Sequence, residues 1–170
     1  LDHDDTEAHK NPGVAYNNLG MHEEEIDAYK QAIKIDPDYA LAHNNLGYVY
    51  LDSGKYEKAI DAYKQAIRID PDFALAHNGL GNVYNNLGKH KKSNKRKKAI
   101  KSYKKAIKLY KQAIKIDPDD AEAHFGLGRA YYNLAYLSTR RLIHVILDLS
   151  KYKKSIKSYK QAIKIKPDYA

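Results

Sequence analysis

The chain has 170 residues, 43% of them apolar, which is enough to bury a core and leaves little room for a separate catalytic domain. It contains no cysteine, which excludes disulfides and thiolate metal sites. It also lacks any run of the roughly 18–20 apolar residues that a membrane-spanning helix needs; the most apolar stretch, 142–149, is short and carries His144 and Asp148.

The net charge of +9 conceals an asymmetry: residues 1–88 hold 7 Lys and Arg against 15 Asp and Glu, net −8, and residues 89–170 hold 23 against 6, net +17. A field of that kind acts on partner choice and association rate more than on fold. The aromatic residues are almost all tyrosine, 16 against 2 phenylalanines and no tryptophan. With neither an initial Met nor a basic-then-apolar leader pattern, the expected location is the cytoplasm.

A period of 34 residues organises the chain. Ala40-Leu-Ala-His-Asn-Asn-Leu-Gly-Tyr-Val-Tyr50 recurs as Ala74-Leu-Ala-His-Asn-Gly-Leu-Gly-Asn-Val-Tyr84, and Tyr-Lys-Gln-Ala-Ile-(Lys/Arg)-Ile recurs from Tyr29, Tyr63, Tyr110 and Tyr159. Four units follow, at about 6–39, 40–73, 74–120 and 121–170, within a single repeat domain over 1–170.

In the first unit, Pro12 and Glu25 stand where the later units have Leu and Ala, which predicts a bent or frayed first helix. The second unit predicts a helix capped by Asp38, with Ala42, Leu46, Val49 and Tyr50 on one face and a stop at Gly54. A second helix carries Ala59, Ile60, Tyr63, Ala66 and Ile67 and ends before Pro71. Two short amphipathic helices cannot bury their apolar stripes alone, whereas stacked hairpins bury them as a continuous core.

The third and fourth units are longer, by 13 and 15 residues. In the third, Tyr103-Lys-Lys-Ala-Ile-Lys-Leu109 precedes Tyr110-Lys-Gln-Ala-Ile-Lys-Ile116 as a duplicated heptad, so the stripe Ile100, Tyr103, Ile107, Tyr110, Ile114 stays in phase. The helix is expected to run on by ~10 Å at ~1.5 Å per residue, with a basic connection over 89–98 before it. In the fourth, Ala135 replaces the turn glycine, and the stripe Leu142, Ile146, Leu149, Ile156, Tyr159, Ile163 predicts a long last helix from near Arg140. Antiparallel packing sets both insertions on one edge, where they are expected to pack together as a raised shoulder. Both chain ends read as cuts at repeat boundaries.

His43, Leu46, Gly47, Tyr50, Ala59, Tyr63, Ala66 and Pro71 resemble the pattern of the tetratricopeptide repeat family, and the third unit repeats it with His77, Leu80, Gly81, Tyr84, Ala99, Tyr103 or Tyr110, and Pro118. The resemblance implies an all-α, right-handed superhelical solenoid of about four hairpins whose first helices line a concave groove for peptides. The matching positions are Lys10, Asn11, Asn44, Asn45, Tyr48, Asn78, Asn82, Asn85, Phe125, Arg129 and Tyr132; an asparagine offers both a donor and an acceptor to a peptide backbone. The wording of the repeats is similar to those of O-linked N-acetylglucosamine transferase, whose asparagine ladder is matched only by Asn11 and Asn45, since Gly79 and Gly126 take the later rungs. Of the carboxylate clamp of chaperone-binding members, Lys10 and Asn45 fit, while Val14, Leu75 and Gly79 occupy the other places.

His9, His43, His77 and His124 recur at one repeat position. Ligands must lie about 2 Å from a shared ion, and neighbouring helix axes are about 8–10 Å apart, so packing is the expected role and no metal or cofactor is expected. The basic residues Lys91, Lys92, Lys95, Arg96, Lys97 and Lys98 form either a solvated loop or a patch for nucleic acid or an anionic surface. No phosphate-cradling glycine loop, nucleophile elbow or acid pair is present, and no enzymatic activity is expected. The functional expectation is an interaction scaffold for a peptide or protein. The alternatives are a head-to-tail self-assembler joining its acidic and basic halves and, more weakly, an anion binder through 89–115 and 151–166.

Overall fold

The computed structural model describes residues 22–89, 96–138 and 145–167. They form seven helices: α1 (His22–Ile35), α2 (Ala40–Asp52), α3 (Tyr56–Ile69), α4 (Ala74–Lys89), α5 (Arg96–Ile116), α6 (Ala121–Ser138) and α7 (Val145–Ile165). The segment holding Lys10, Asn11 and Pro12 lies outside the described residues, as do residues 90–95 and 139–144.

Helices α1, α3, α5 and α7 each stop at an isoleucine two residues before a proline, because the residue preceding proline is driven out of helical conformation. The turn that follows is built alike three times. The Asp36, Asp70 and Asp117 carboxylates accept from the amides of Asp38, Asp72 and Asp119 at 3.1, 3.0 and 3.1 Å. His43, His77 and His124 then place Nε2 at 3.0, 2.9 and 3.0 Å from the carbonyls of Pro37, Pro71 and Pro118. A carbonyl only accepts, so Nε2 carries the proton and each histidine straps its helix to the turn before it.

The aspartates correct one expectation. Asp38 is held in its turn, and α2 starts after Tyr39 without a side-chain cap. A carboxylate caps α6 instead, where Asp120 Oδ1 accepts from the Ala123 amide at 2.8 Å.

Gly54 ends α2 at φ 67°, with Gly54 N–H donating to the Leu51 carbonyl and Lys55 N–H to that of Tyr50, the paired bonds of a glycine-terminated helix. The later first helices have no such stop. α4 runs through Gly88 to Lys89 and α6 through Ala135 to Ser138, giving 16 and 18 residues against 13 in α2. α5 has 21 residues against 14 in α3, the seven-residue, ~10 Å extension that the duplicated heptad requires. Arg96, Lys97 and Lys98, read from the sequence as part of a connection, are instead the first turn of α5.

Helices pack in chain order, α1 on α2, α2 on α3, α5 on α6 and α6 on α7. The contacts divide the chain into two compact units, residues 1–79 and 80–170, each described by itself.

In the first unit the Tyr63 ring fills a slot between Gly47 of α2 and Gly79 of α4; a Cβ would lie 3.0 Å from the ring at Gly47 and 2.4 Å at Gly79. Glu25, at a position that prefers alanine, is buried with one carboxylate oxygen 3.9 Å from His22 Nδ1.

In the second unit Tyr110 sits between Gly81 and Gly126, Tyr103 packs on Gly88, and Tyr159 packs on Gly128. Both candidate tyrosines of the third hairpin are therefore used. The heptad duplicated in α5 is met by two Leu-Gly pairs seven residues apart in α4, Leu80-Gly81 and Leu87-Gly88.

The start of α5 lies beside the end of α6: Ala99 and Tyr103 cluster with Leu134, with Leu137 packed against them. The Arg96 guanidinium donates to the Leu137 carbonyl, placing a cation at the negative end of α6. The contact is the one that antiparallel packing implies for these two helix ends; the helix start expected near Arg140, and the packing of 142–148 expected to raise a shoulder, lie outside the described residues.

The last apolar stripe divides differently from the sequence expectation. α7 turns Ser155, Ser158 and Ala162 inward and leaves Leu149, Ile156 and Ile163 exposed. Their counterparts in α5, Ile107 and Ile114, pack against the Leu127 and Tyr131 cluster of α6.

Candidate functional site

The residues assigned to the groove by sequence fall in both units and behave differently. In the first unit, Tyr48 projects from α2 with 53% of its surface exposed. One turn earlier, the half-buried Asn45 is hydrogen-bonded to the Tyr29 hydroxyl and accepts from Asn44 Nδ2 at 3.2 Å. Burial raises the Tyr29 hydroxyl above the ordinary tyrosine value, the Glu25 charge adds to this, and the Asn45 bond opposes it. Asn44 and Asn78 are buried, and the Asn78 amide oxygen has no partner among the described residues.

In the second unit the polar side chains converge on Arg129, which is half-buried. Its Nη2 donates to Asn82 Oδ1 at 3.0 Å, and Asn82 Oδ1 also accepts from the Tyr110 hydroxyl at 2.8 Å. Asn85 is fully buried. The amide orientation that satisfies its neighbours turns its oxygen to Arg129, 2.6 Å from Nε and 3.2 Å from Nη2, while the Asn133 amide lies 3.3 Å away.

The guanidinium lies 5.9 Å from the Phe125 ring centroid, and Phe125 meets the Tyr159 ring at 5.3 Å. Tyr132 is 48% exposed, its ring edge-on to Tyr152 at 5.8 Å. Burial pushes the Tyr110 hydroxyl up to about 12, with the Arg129 charge and hydrogen bond opposing.

The structure thus brings Asn82, Asn85, Phe125 and Arg129 together and adds Tyr110 and Asn133, with Lys89 near enough to feel the Arg129 charge; the sequence reading had placed none of these three there. Asn133 was within reach of that reading, because it stands four residues after Arg129 on the same helical face. Lys89 was not, because its position depends on α4 continuing past Gly88.

Of the basic patch, Arg96 is tied to the Leu137 carbonyl and Lys97 and Lys98 are exposed; Lys91, Lys92 and Lys95 lie outside the described residues. Among the described residues no three His, Asp or Glu gather as metal ligands would, and no helix is long and apolar enough to cross a membrane.

A family model of the TPR repeat matches residues 13–54, 47–88 and 100–134, and one of the tetratricopeptide repeat matches 147–169. The chain belongs to the tetratricopeptide repeat family. No curated protein sequence matches it significantly.

Among solved structures, a crystal structure of MamA is similar over 96% of this chain and 79% of its own, at TM-score 0.68 and 24% identity. The first tetratricopeptide domain of Spaghetti (RPAP3), solved with the HSP90 peptide SRMEEVD, is similar over 79% and 97%, at 0.66 and 21%. The O-GlcNAc transferase of Thermobaculum terrenum is similar over 81% of this chain and 26% of its own, at 0.65 and 23%. At these identities the likeness is one of fold.

Within this tetratricopeptide chain, the repeat position of Asn45 holds glycine in the next two units because a tyrosine ring leaves no room there. Asn45 bonds to the Tyr29 hydroxyl, whereas the corresponding positions Gly79 and Gly126 each face a tyrosine ring, Tyr63 and Tyr110, with a Cβ excluded at 2.4 Å.

Proposed function

We propose that this tetratricopeptide protein is a non-enzymatic scaffold that binds an extended peptide or protein segment along the exposed faces of its first helices. The observation that carries the reading is the pair of large, half-exposed tyrosines on those helices, Tyr48 on α2 and Tyr132 on α6, each beside fixed amide or guanidinium groups. Tyrosine supplies contact area at small entropic cost, and the neighbouring amides supply backbone recognition. The RPAP3 domain, similar in fold, was solved with a bound peptide.

The test is selection from a random-peptide library on the immobilised chain, followed by affinity measurement with Tyr48→Ala and Tyr132→Ala. The reading expects a recoverable peptide whose binding at least one substitution weakens by about tenfold, or ~1.4 kcal/mol. An empty selection, or binding indifferent to both changes, defeats it.

A second reading is favoured by α7, whose Leu149, Ile156 and Ile163 recur every seven residues on an uncovered face with lysines beside them. A second copy presenting its acidic residues 1–79 would suit that face. Light scattering decides: growth of assemblies at low salt that added salt reverses supports self-association, and a strict monomer removes it.

A further inference from the structure

In the second unit one cation, Arg129, is half-buried and held in place by its neighbours. Arg129 turns its Nε and Nη2 donors to Asn82 and Asn85. No described carboxylate pairs with it. The segments 90–95 and 139–144 contain no Asp or Glu to supply one. Of the unit's six acidic residues, Asp117, Asp119, Asp120 and Glu122 stand at the turn between α5 and α6; the others are Asp148 and Asp168. The second cation, Lys89, exists at this place because α4 runs one residue beyond Gly88. Burial, and then the charge of Arg129, hold its ammonium below the ordinary lysine value.

We infer that Arg129 and Lys89 form a receptor for a peptide carboxylate, with the Phe125 and Tyr132 rings flanking the segment that carries it. A guanidinium attracts a carboxylate by its fixed charge and by charge-assisted N–H contacts. Arg129 is already fixed by two asparagines and an aromatic ring, so little side-chain freedom is lost on binding. Half-burial weakens solvent screening of the pair. The site differs from the carboxylate clamp, whose positions here hold Val14, Leu75 and Gly79. It rests on the scaffold reading and names the chemical class of that scaffold's ligand.

The experiment is fluorescence polarisation with labelled hexaglutamate and, in parallel, labelled hexaglutamine at low ionic strength. The wild type is expected to bind the first and not the second. Arg129→Gln is expected to weaken hexaglutamate binding by about tenfold, the loss of one charge-assisted contact. Arg129→Lys keeps the charge without the fork and is expected to fall between. Lys89→Gln, on an exposed side chain, is expected to weaken binding about threefold, and it decides the matter should Arg129→Gln fail to fold. A control with Lys153→Gln and Lys157→Gln removes two charges from the outer face of α7 and is expected to stay within about twofold.

A control loss equal to that of Arg129→Gln, no loss in either site variant, or no preference for glutamate over glutamine overturns the inference. A library-selected peptide that loses affinity with Tyr48→Ala or Tyr132→Ala and ignores Arg129→Gln overturns it too, while leaving the scaffold reading intact.

Discussion

Tyr63 and Tyr110 fit because the residues facing them have no side chain. A Cβ at Gly79 would lie 2.4 Å from the Tyr63 ring, which is itself buried and has no room to withdraw. Gly79→Ala is therefore expected to destabilise the fold by about 1–3 kcal/mol in urea unfolding. Coupling with Tyr63→Leu in a double-mutant cycle should recover part of that loss; additive effects would show that the ring and the glycine do not meet. The same tyrosines set the alkaline limit of stability. Burial raises Tyr63, Tyr110 and, to a lesser degree, Tyr29, Tyr103 and Tyr159 above the unfolded value. The folded state thus favours the protonated phenol, and the contribution is complete below pH about 10 and is lost as pH climbs toward 12 and beyond. Tyr63 and Tyr110 should each cost about 1.4 kcal/mol per pH unit in that window. Tyrosinate absorbance recorded with circular dichroism checks this: part of the tyrosine signal should appear only as helicity collapses.

At the scale of elements, the 34-residue spacing, the proline stops and the duplicated heptad made the helix pairs legible before any coordinates. Their periods are one-dimensional properties that survive folding. What sequence did not disclose depends on contacts between helices. Gly54 and Gly88 hold the same place in their repeats, yet Gly54 ends α2 and Gly88 lies within α4 under the Tyr103 ring; only the neighbouring helix distinguishes them. Asp38 has the composition of a cap but stands one residue too early, since Tyr39 holds the place that Asp120 fills at the start of α6. Ile156 and Ile163 match core positions, and their exposure follows from what lies beside α7, not from their own identity. Arg129 was legible as a surface position of a first helix, but its anchoring by Asn82 and Asn85 was not. The contact between the start of α5 and the end of α6 can be tested directly. Leu134→Ala removes the residue that Ala99 and Tyr103 pack against and should cost about 2–3 kcal/mol. Hydrogen exchange should accelerate in residues 99–107 and leave α2 and α3 unchanged; unaltered protection in 99–107 would count against that contact.

At the scale of the whole chain, the two units differ in charge. Residues 1–79 carry 7 basic and 15 acidic side chains, and residues 80–170 carry 23 and 6. An acidic ligand would therefore be drawn toward the second unit and repelled from the first. The central claim is that ligands are taken up on first helices, with second helices serving as the packed support. Amide chemical-shift mapping with a library-selected peptide tests it most directly. The account predicts perturbations clustered on the exposed faces of α2, α4 or α6, centred near Tyr48 or Arg129 and Tyr132. Shifts confined to α3, α5 or α7, with the first helices silent, would contradict it.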